Sequence, residues 1–555
     1  MLTLEATFVI IVIWGSVLVS AWFLAKYMFS VYSVKKTRLD KFFEPFEKII
    51  YRISGVDPYE EMGWKSYFKA LIMLNGIEAA ISFVILIFQG SLPLNPMHFS
   101  GIPWTLSFNT ALSFSSNTDL QHFNGGSSMS YLSQMAALGF LEFTSAATGI
   151  SVGVAVFRGF AGKTKGLGNF YVDYVRTITR VLLPLTFVAS IVLIFFGVPQ
   201  SLSGYHVFST LEVAGTEIVK TGPIASLASI MQIGTNGGGY FGANAANPLT
   251  NPNQITNFFE LALMMLIPTS FPFLFGRYVG NMREGRTLVV AAYSLYFIDM
   301  VIAFIPLSSI GAGMEVRFGS TTSIFWTVTT TAFSTGSVNA SLAAFNPLVI
   351  LAAFFGMIIQ AIPGAVGVGS MYLLMYIIMT VFIVGLMAGR TPEYLGGKIN
   401  ARDVKLAVIA FLSHPIIILV PTVITFVSGA QRAVGLGTNS LSFTEVFYEF
   451  SSAAANNGSD FLGSAANNPF FNISTGIVMW LGRFIPMIIM LAIAGSMVQR
   501  KRSASQALRT DSLTFTVILI VSIFILAVFL ICASAMESES VLNQTVMIKM
   551  IATVM

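Results

Sequence analysis

Ten long apolar stretches run along the chain, at approximately 6–32, 67–90, 130–158, 175–198, 254–276, 287–310, 345–389, 405–428, 470–498 and 512–535. A helix needs about 20 apolar residues to cross a hydrocarbon layer of about 30 Å, so the pattern predicts ten transmembrane helices. The polar connections alternate in character. Those at 24–70, 157–181, 277–286, 390–405 and 499–509 hold 25 of the 30 arginines and lysines. Basic connections stay on the cytoplasmic face, which leaves both termini expected outside. The remaining long connections hold few basic residues, and each contains an apolar segment too short to cross: 103–114, 223–233, 323–333 and 443–455.

Every one of these short segments runs into a small polar cluster. The clusters are Ser116-Asn117-Thr118, Thr235-Asn236-Gly237, Ser334-Thr335-Gly336 and Asn456-Asn457-Gly458, beginning 119, 99 and 122 residues apart. Setting 235–248 against 456–469 gives six identities in fourteen positions, among them Asn236 with Asn457 and Gly237 with Gly458. The expected fold is therefore an all-α polytopic membrane protein. Four copies of span, short pore helix, polar loop and span surround one pore, with an extra span at each end. The divisions fall at 1–66 (first span and basic loop), 67–160, 169–285, 286–390 and 404–500 (pore units), and 501–555 (last span and tail). Internal repeats in transporters place the substrate at the repeat interface.

The chemistry of the clusters points to a cation. Non-helical backbone at membrane depth is tolerated only where it lines a polar cavity or is buried in protein. A short helix that stops mid-membrane aims its partially negative C-terminal end at whatever lies beyond it. Four neutral, oxygen-rich loops around one axis replace the hydration shell of a monovalent cation, as in a selectivity filter. The candidate filter residues are Asn117, Thr118, Gln121, Thr235, Asn236, Gly237, Ser334, Thr335, Gly336, Asn456, Asn457 and Gly458, and none of the three-residue clusters holds a negative charge. No cofactor is expected beyond the transported ion.

Composition narrows the class further. The chain is 55% hydrophobic and 10% charged, with a mean hydropathy of +0.77, which excludes a soluble protein. Its net charge of +5 is split among short loops, a poor match to a nucleic-acid surface. The single cysteine, Cys532, makes no internal disulfide. The first apolar stretch lacks a basic leader and a small-residue cleavage site, and is expected to be a retained span. His98, His122, His206 and His414 show no metal-ligand spacing. Gly162-Lys163-Thr164 is preceded five positions earlier by Phe157, so the phosphate-cradling loop is incomplete. Mid-span Arg483, costly in a bilayer, must pair or border a wet cavity. Asp299, Glu260, Glu142 and Glu78 fall in or near spans without an assigned role.

The seventh stretch is too long for one crossing. About 44 residues would make roughly 66 Å of helix at 1.5 Å per residue. It must break, and Pro363, Gly364, Gly367 and Gly369 mark the place, making 363–370 a candidate gate below the third loop.

At these residues the chain resembles a known family, KdpA, the potassium-binding, translocating subunits of Kdp-type ATP-driven potassium pumps. The likeness runs along almost the whole chain. Besides TNGGG at 235–239 and NNGS at 456–459, it rests on GRTPEYLG at 389–396, on GRF at 482–484 and on LAIAG at 491–495. The resemblance implies a subunit that selects K+ from outside and does not hydrolyse ATP, in a prokaryotic plasma (inner) membrane. Its implied partners are a P-type ATPase subunit, an accessory single-span subunit and a very small single-span subunit, with ions leaving sideways toward the ATPase. It also implies places beside the ion path for Gln360, Arg390 and Arg483. A stand-alone potassium transporter or channel of the same fourfold architecture is the rival reading. The chain departs from the family at Gln360, where a glutamate is usual, and at Asp119 and Leu120, where an amide and a large aromatic are usual.

Overall fold

The computed structural model describes residues 4–33, 40–210, 215–305, 316–502 and 509–542. Helix α1 (Leu4–Tyr32) is a long apolar span, and α2 (Asp40–Ser54) follows it as an amphipathic helix. The first pore unit runs through α3 (Trp64–Phe88), the short α4 (Trp104–Ser115), the one-turn α5 (Gly125–Ser128), and α6 (Phe140–Ala161). Helix α6 is entered through a π-helical stretch, Ser133–Gly139. In the second unit α7 (Phe170–Arg176) continues through another π-helical stretch, Thr177–Leu182, into α8 (Leu183–Phe195). A hairpin, β1 (His206–Ser209) and β2 (Thr216–Val219), then leads to α9 (Ile224–Ile233) and α10 (Gln254–Val279).

The third unit holds α11 (Met282–Phe304), α12 (Gly319–Ala332), and two helices, α13 (Pro347–Ile359) and α14 (Val368–Met387), where the seventh stretch was expected to break. A two-residue hairpin, β3 (Glu393–Tyr394) and β4 (Gly397–Lys398), closes it. The fourth unit is α15 (Ala401–Ser428), α16 (Ser440–Ala455) and α17 (Pro469–Val498), and α18 (Leu513–Leu542) ends the described chain. Among the described residues nine helices are long and apolar enough to cross a membrane. The protein is an all-α, multi-pass membrane protein.

Burial sorts the spans into two shells. In the second long helix of each unit the most apolar stretch is 89%, 72%, 72% and 72% buried; in the first it is 33%, 33%, 56% and 33%. The inner shell is therefore α6, α10, α14 and α17, and the outer helices turn residues such as Ile77, Val188 and Ile416 outward. Without water to drive association, helices in lipid depend on close approach at small residues. A Cβ on Gly159 of α6 would lie 2.6 Å from the Ala494 Cβ of α17. At the basic end of the bundle Arg158 donates to both carboxylate oxygens of Asp173 (2.5 and 2.8 Å), which Tyr67 also reaches at 3.1 Å. That group joins α3, α6 and α7. Arg180 holds α2 in the same way, donating to Glu47 at 2.6 Å through two nitrogens.

Candidate functional site

The four short helices α4, α9, α12 and α16 end identically. Asn117, Thr235, Ser334 and Asn456 all take left-handed backbone, with φ of 62°, 46°, 48° and 51°. In each case the amide of that residue bonds the carbonyl three back, and the next amide reaches the carbonyl five back: Thr118 to Ser113 (3.0 Å), Asn236 to Met231 (2.9 Å), Thr335 to Thr330 (2.8 Å) and Asn457 to Ser452 (2.9 Å). This is the paired closure of a Schellman cap, built four times with residues other than glycine. A left-handed β-branched residue such as Thr235 is strained by about 1–3 kcal/mol, and such strain persists only where surroundings enforce it. Here the Val366 amide donates to the Thr235 hydroxyl at 3.1 Å.

The cap fixes the register of the loops, and it corrects the first. The matching triplets are Asn117-Thr118-Asp119, Thr235-Asn236-Gly237, Ser334-Thr335-Gly336 and Asn456-Asn457-Gly458. The first spacing is therefore 118, not 119. Ser116 is the last turn of its helix, accepting no place in the ring. With the register set, a negative residue does enter the aligned positions, because Asp119 stands where the other loops have glycine.

Side chains bind the loops to one another. Asn117 donates to the Gly234 and Thr235 carbonyls (3.2 and 2.7 Å), and Gln121 to the Gly239 carbonyl (2.7 Å), joining the first loop to the second. Asn236 returns a bond to Asn117 at 3.3 Å and reaches Ser145 of α6. Gln232, in the last turn of α9, donates to Ser337 at 3.3 Å, joining second to third. Ser334 donates to the Ala455 carbonyl (2.9 Å) and Asn457 to the Thr330 carbonyl (2.9 Å), joining third and fourth. Asn456 donates to the Thr118 hydroxyl at 2.9 Å and closes the circle. The Thr335 backbone is held in its cap, while its buried hydroxyl meets no partner among the described residues.

Where the loops approach one another, backbone meets backbone. A Cβ on Gly237 would lie 2.7 Å from the Asn457 carbonyl oxygen and 3.0 Å from the Gly458 Cα, and would strike the Thr118 carbonyl oxygen. A Cβ on Gly458 would strike that same Thr118 oxygen, and one on Gly336 the Asn457 oxygen. Three glycines and two carbonyl oxygens from separate loops thus converge within van der Waals reach. Only glycine fits there.

Beneath the ring lies the break in the seventh span. Residues 360–367 are non-helical, three residues earlier than the expected 363–370, because Val368, Gly369 and Ser370 already form the first turn of α14. Gln360 caps α13 in left-handed backbone, and its amide nitrogen lies 3.2 Å from the His414 ring. The Gly364 amide bonds the Ala332 carbonyl at the end of α12 (2.9 Å), so Pro363 and Gly364 press directly on the base of the third loop. A Cβ on Gly367 would run into the Gly149 carbonyl of α6, and one on Gly369 into the Pro363 carbonyl.

Arg483 borders the same region. It is 1% exposed, donates to the Ser145 carbonyl at 3.0 Å, and forms no ion pair among the described residues. Of the two expectations, pairing or bordering a wet cavity, it meets the first through a carbonyl rather than a carboxylate. Arg390 belongs elsewhere. It is exposed beyond the end of α14, about 30 Å along a twenty-residue helix from the break. The 389–396 signature builds a turn there, with Gly389 at φ 62° before the β3–β4 hairpin and Gly396 at φ 74° in its turn.

One cluster escaped sequence reasoning. His122, just past the first loop, sits between Asn472 (Nδ1, 2.7 Å) and Glu449 (Nε2, 3.0 Å), all buried. It buttresses the first loop against α16 and α17. Its partners lie 350 and 327 residues away in sequence, and no local pattern signals them. Among the described residues no group of three or more His, Cys, Asp or Glu side chains could hold a metal ion.

A family model described as KdpA, potassium-transporting ATPase A subunit, matches residues 10–533. A protein of Caldanaerobacter subterraneus subsp. tengcongensis, named potassium-transporting ATPase potassium-binding subunit, is 42% identical over 524 residues, covering 90% of this chain and 92% of that one. A protein of the same name from Geobacillus kaustophilus is 42% identical over 522 residues, covering 91% and 92%.

Proposed function

Since the chain belongs to the family of potassium-transporting ATPase A subunits, we propose that it is the potassium-binding and translocating subunit of an ATP-driven, high-affinity uptake pump. Potassium is selected where the four loops meet. The observation that carries this reading is the division of labour in the ring. Asn117, Ser334, Asn456 and Asn457 spend side-chain groups in binding loop to loop, and the backbone oxygens of Thr118 and Asn457 lie where the glycines of neighbouring loops approach. Neutral carbonyls suit a weakly hydrated monovalent cation.

ATP hydrolysis falls to a P-type ATPase partner, assisted by an accessory single-span subunit and a small single-span subunit, and no cofactor is needed beyond the ion. Affinity purification of the chain from native prokaryotic inner membrane tests the assignment. An ATPase subunit is expected to follow it, with ATP hydrolysis stimulated by K+. A chain that comes away alone and moves K+ without ATP would establish the stand-alone transporter instead.

The basic connections place both termini outside. Cysteines introduced at 165 and 398 in a Cys532-free background are expected to react with an impermeant thiol reagent only from the cytoplasmic side, and one at 432 only from outside. Labelling of position 398 from outside reverses the orientation.

A further inference from the structure

Helix α2 turns its faces the opposite way from a helix bathed in water. Its apolar residues Phe42, Phe46, Ile49, Ile50 and Ile53 point outward, with Phe46 60% and Ile53 80% exposed. At 3.6 residues per turn all five fall within an arc of about 100°. The acids Asp40 and Glu47 point inward instead. Both accept from Arg180, and Glu47 also accepts from Thr179 at 3.0 Å. An amphipathic helix at a water boundary buries its apolar side, and an exposed apolar patch marks a surface that something covers.

The depth of α2 identifies the cover. The Tyr27 hydroxyl donates to the Arg180 carbonyl at 2.8 Å, and Arg176 donates to the Val31 carbonyl at 3.4 Å. Tyr27 and Val31 lie in the last turns of α1, whose membrane-crossing stretch is Thr7–Tyr32. Arg180, which holds α2, is therefore level with a point about 7 Å inside the end of that span. Interfacial amphipathic helices lie about 5–10 Å into the boundary between headgroups and acyl chains. Farther in, about one and two turns beyond Arg180, Leu183 and Phe187 of α8 also face outward. The apolar side of α2 extends that lipid-facing surface.

Charge agrees with depth. Lys41, Lys48 and Arg52 are exposed and form a stripe along α2 beside the apolar face, with Lys48 also 2.9 Å from Glu44. Basic side chains are drawn to an anionic leaflet and reach it on flexible stems. The apolar face itself is built of phenylalanine and isoleucine, without the small residues at which a second helix packs closely in lipid.

We propose that α2 lies in the lipid interface at the basic end of the bundle, with its phenylalanine and isoleucine side chains among the acyl chains and its basic stripe on anionic phospholipid headgroups. Through Arg180 it ties the second pore unit to the bilayer surface. This placement depends on the chain being a membrane protein, and not on the ion it carries.

The test places a nitroxide on single cysteines, Phe46→Cys, Ile53→Cys or Lys48→Cys, each in the full chain without Cys532. Collision with oxygen, which concentrates among acyl chains, is compared with collision with a water-soluble nickel chelate. The chain is read in phosphatidylcholine vesicles and in vesicles of phosphatidylethanolamine with phosphatidylglycerol. It is read again in the second lipid together with whatever subunits accompany it from native membrane. Positions 46 and 53 are expected to meet oxygen and escape nickel in every preparation, and position 48 to meet nickel. Positions 46 and 53 should lie deeper where phosphatidylglycerol is present, a difference lost when Lys41→Gln, Lys48→Gln and Arg52→Gln are combined. Position 46 open to nickel overturns the proposal by placing α2 in water. Position 46 closed to both probes overturns it in favour of a covering protein. Equal depth of the wild-type stripe in the two lipids overturns its recognition of anionic headgroups.

Discussion

Exchanging Gly237 for aspartate is expected to weaken potassium binding by roughly 5- to 150-fold, the range that corresponds to about 1–3 kcal/mol. Two effects act together. The Cβ lands on the Thr118 carbonyl oxygen and within 2.7 Å of that of Asn457, and overpacking of this kind costs about 1–3 kcal/mol. The two carbonyls must then turn or retreat, which degrades the spacing that distinguishes one monovalent ion from another. The added carboxylate attracts cations with little regard for their size. Discrimination against rubidium and ammonium should therefore fall along with affinity. Ion-stimulated ATP hydrolysis by the mutant complex, titrated with each of the three ions, provides the check. Unchanged half-saturation and unchanged ion preference would remove the second loop from the ion site.

Removing residues 364–369 should have the opposite kind of effect, a gain of passive flux. This stretch is tied to the second loop through the Val366 amide and to the third through the Gly364 amide. Gly149 of α6 closes it on the remaining side. We propose that it forms a floor under the ring, on the side facing the basic connections. Without it, ions leaving the ring meet no barrier. Liposomes holding the variant complex are expected to lose potassium down a gradient with no ATP present, whereas wild type holds it. A variant that assembles and passes no current refutes the gate.

The elements that were legible in advance were those written in short-range pattern. The four half-length apolar segments gave away the pore helices, and Pro363 with its neighbouring glycines gave away the broken span to within three residues. The register of the first loop was not legible. Ser116, Asn117 and Thr118 are all small and polar, so composition cannot say which of them turns left-handed. In the other loops glycine marks the third position, and in the first that mark is replaced by Asp119. The 389–396 motif shows a related difficulty. A distinctive motif draws attention whatever it builds, and here it builds a tight turn at a helix end. The His122–Glu449–Asn472 buttress could not be read at all, since it exists only once residues more than 300 positions apart are side by side.

The closure of the ring by Asn456 on Thr118 has a consequence for biosynthesis. The two residues are 338 positions apart, and a ribosome adding about 5–20 residues per second needs roughly 17–70 s to cover that distance. For that interval the first loop is already threaded into the bilayer with its final neighbour still unmade. Its polar groups must be sheltered by the insertion machinery or by water until the fourth unit arrives. The proposed ion-selecting ring is therefore among the last parts of the molecule to mature, and a chain truncated before α16 has spans but no completed ring.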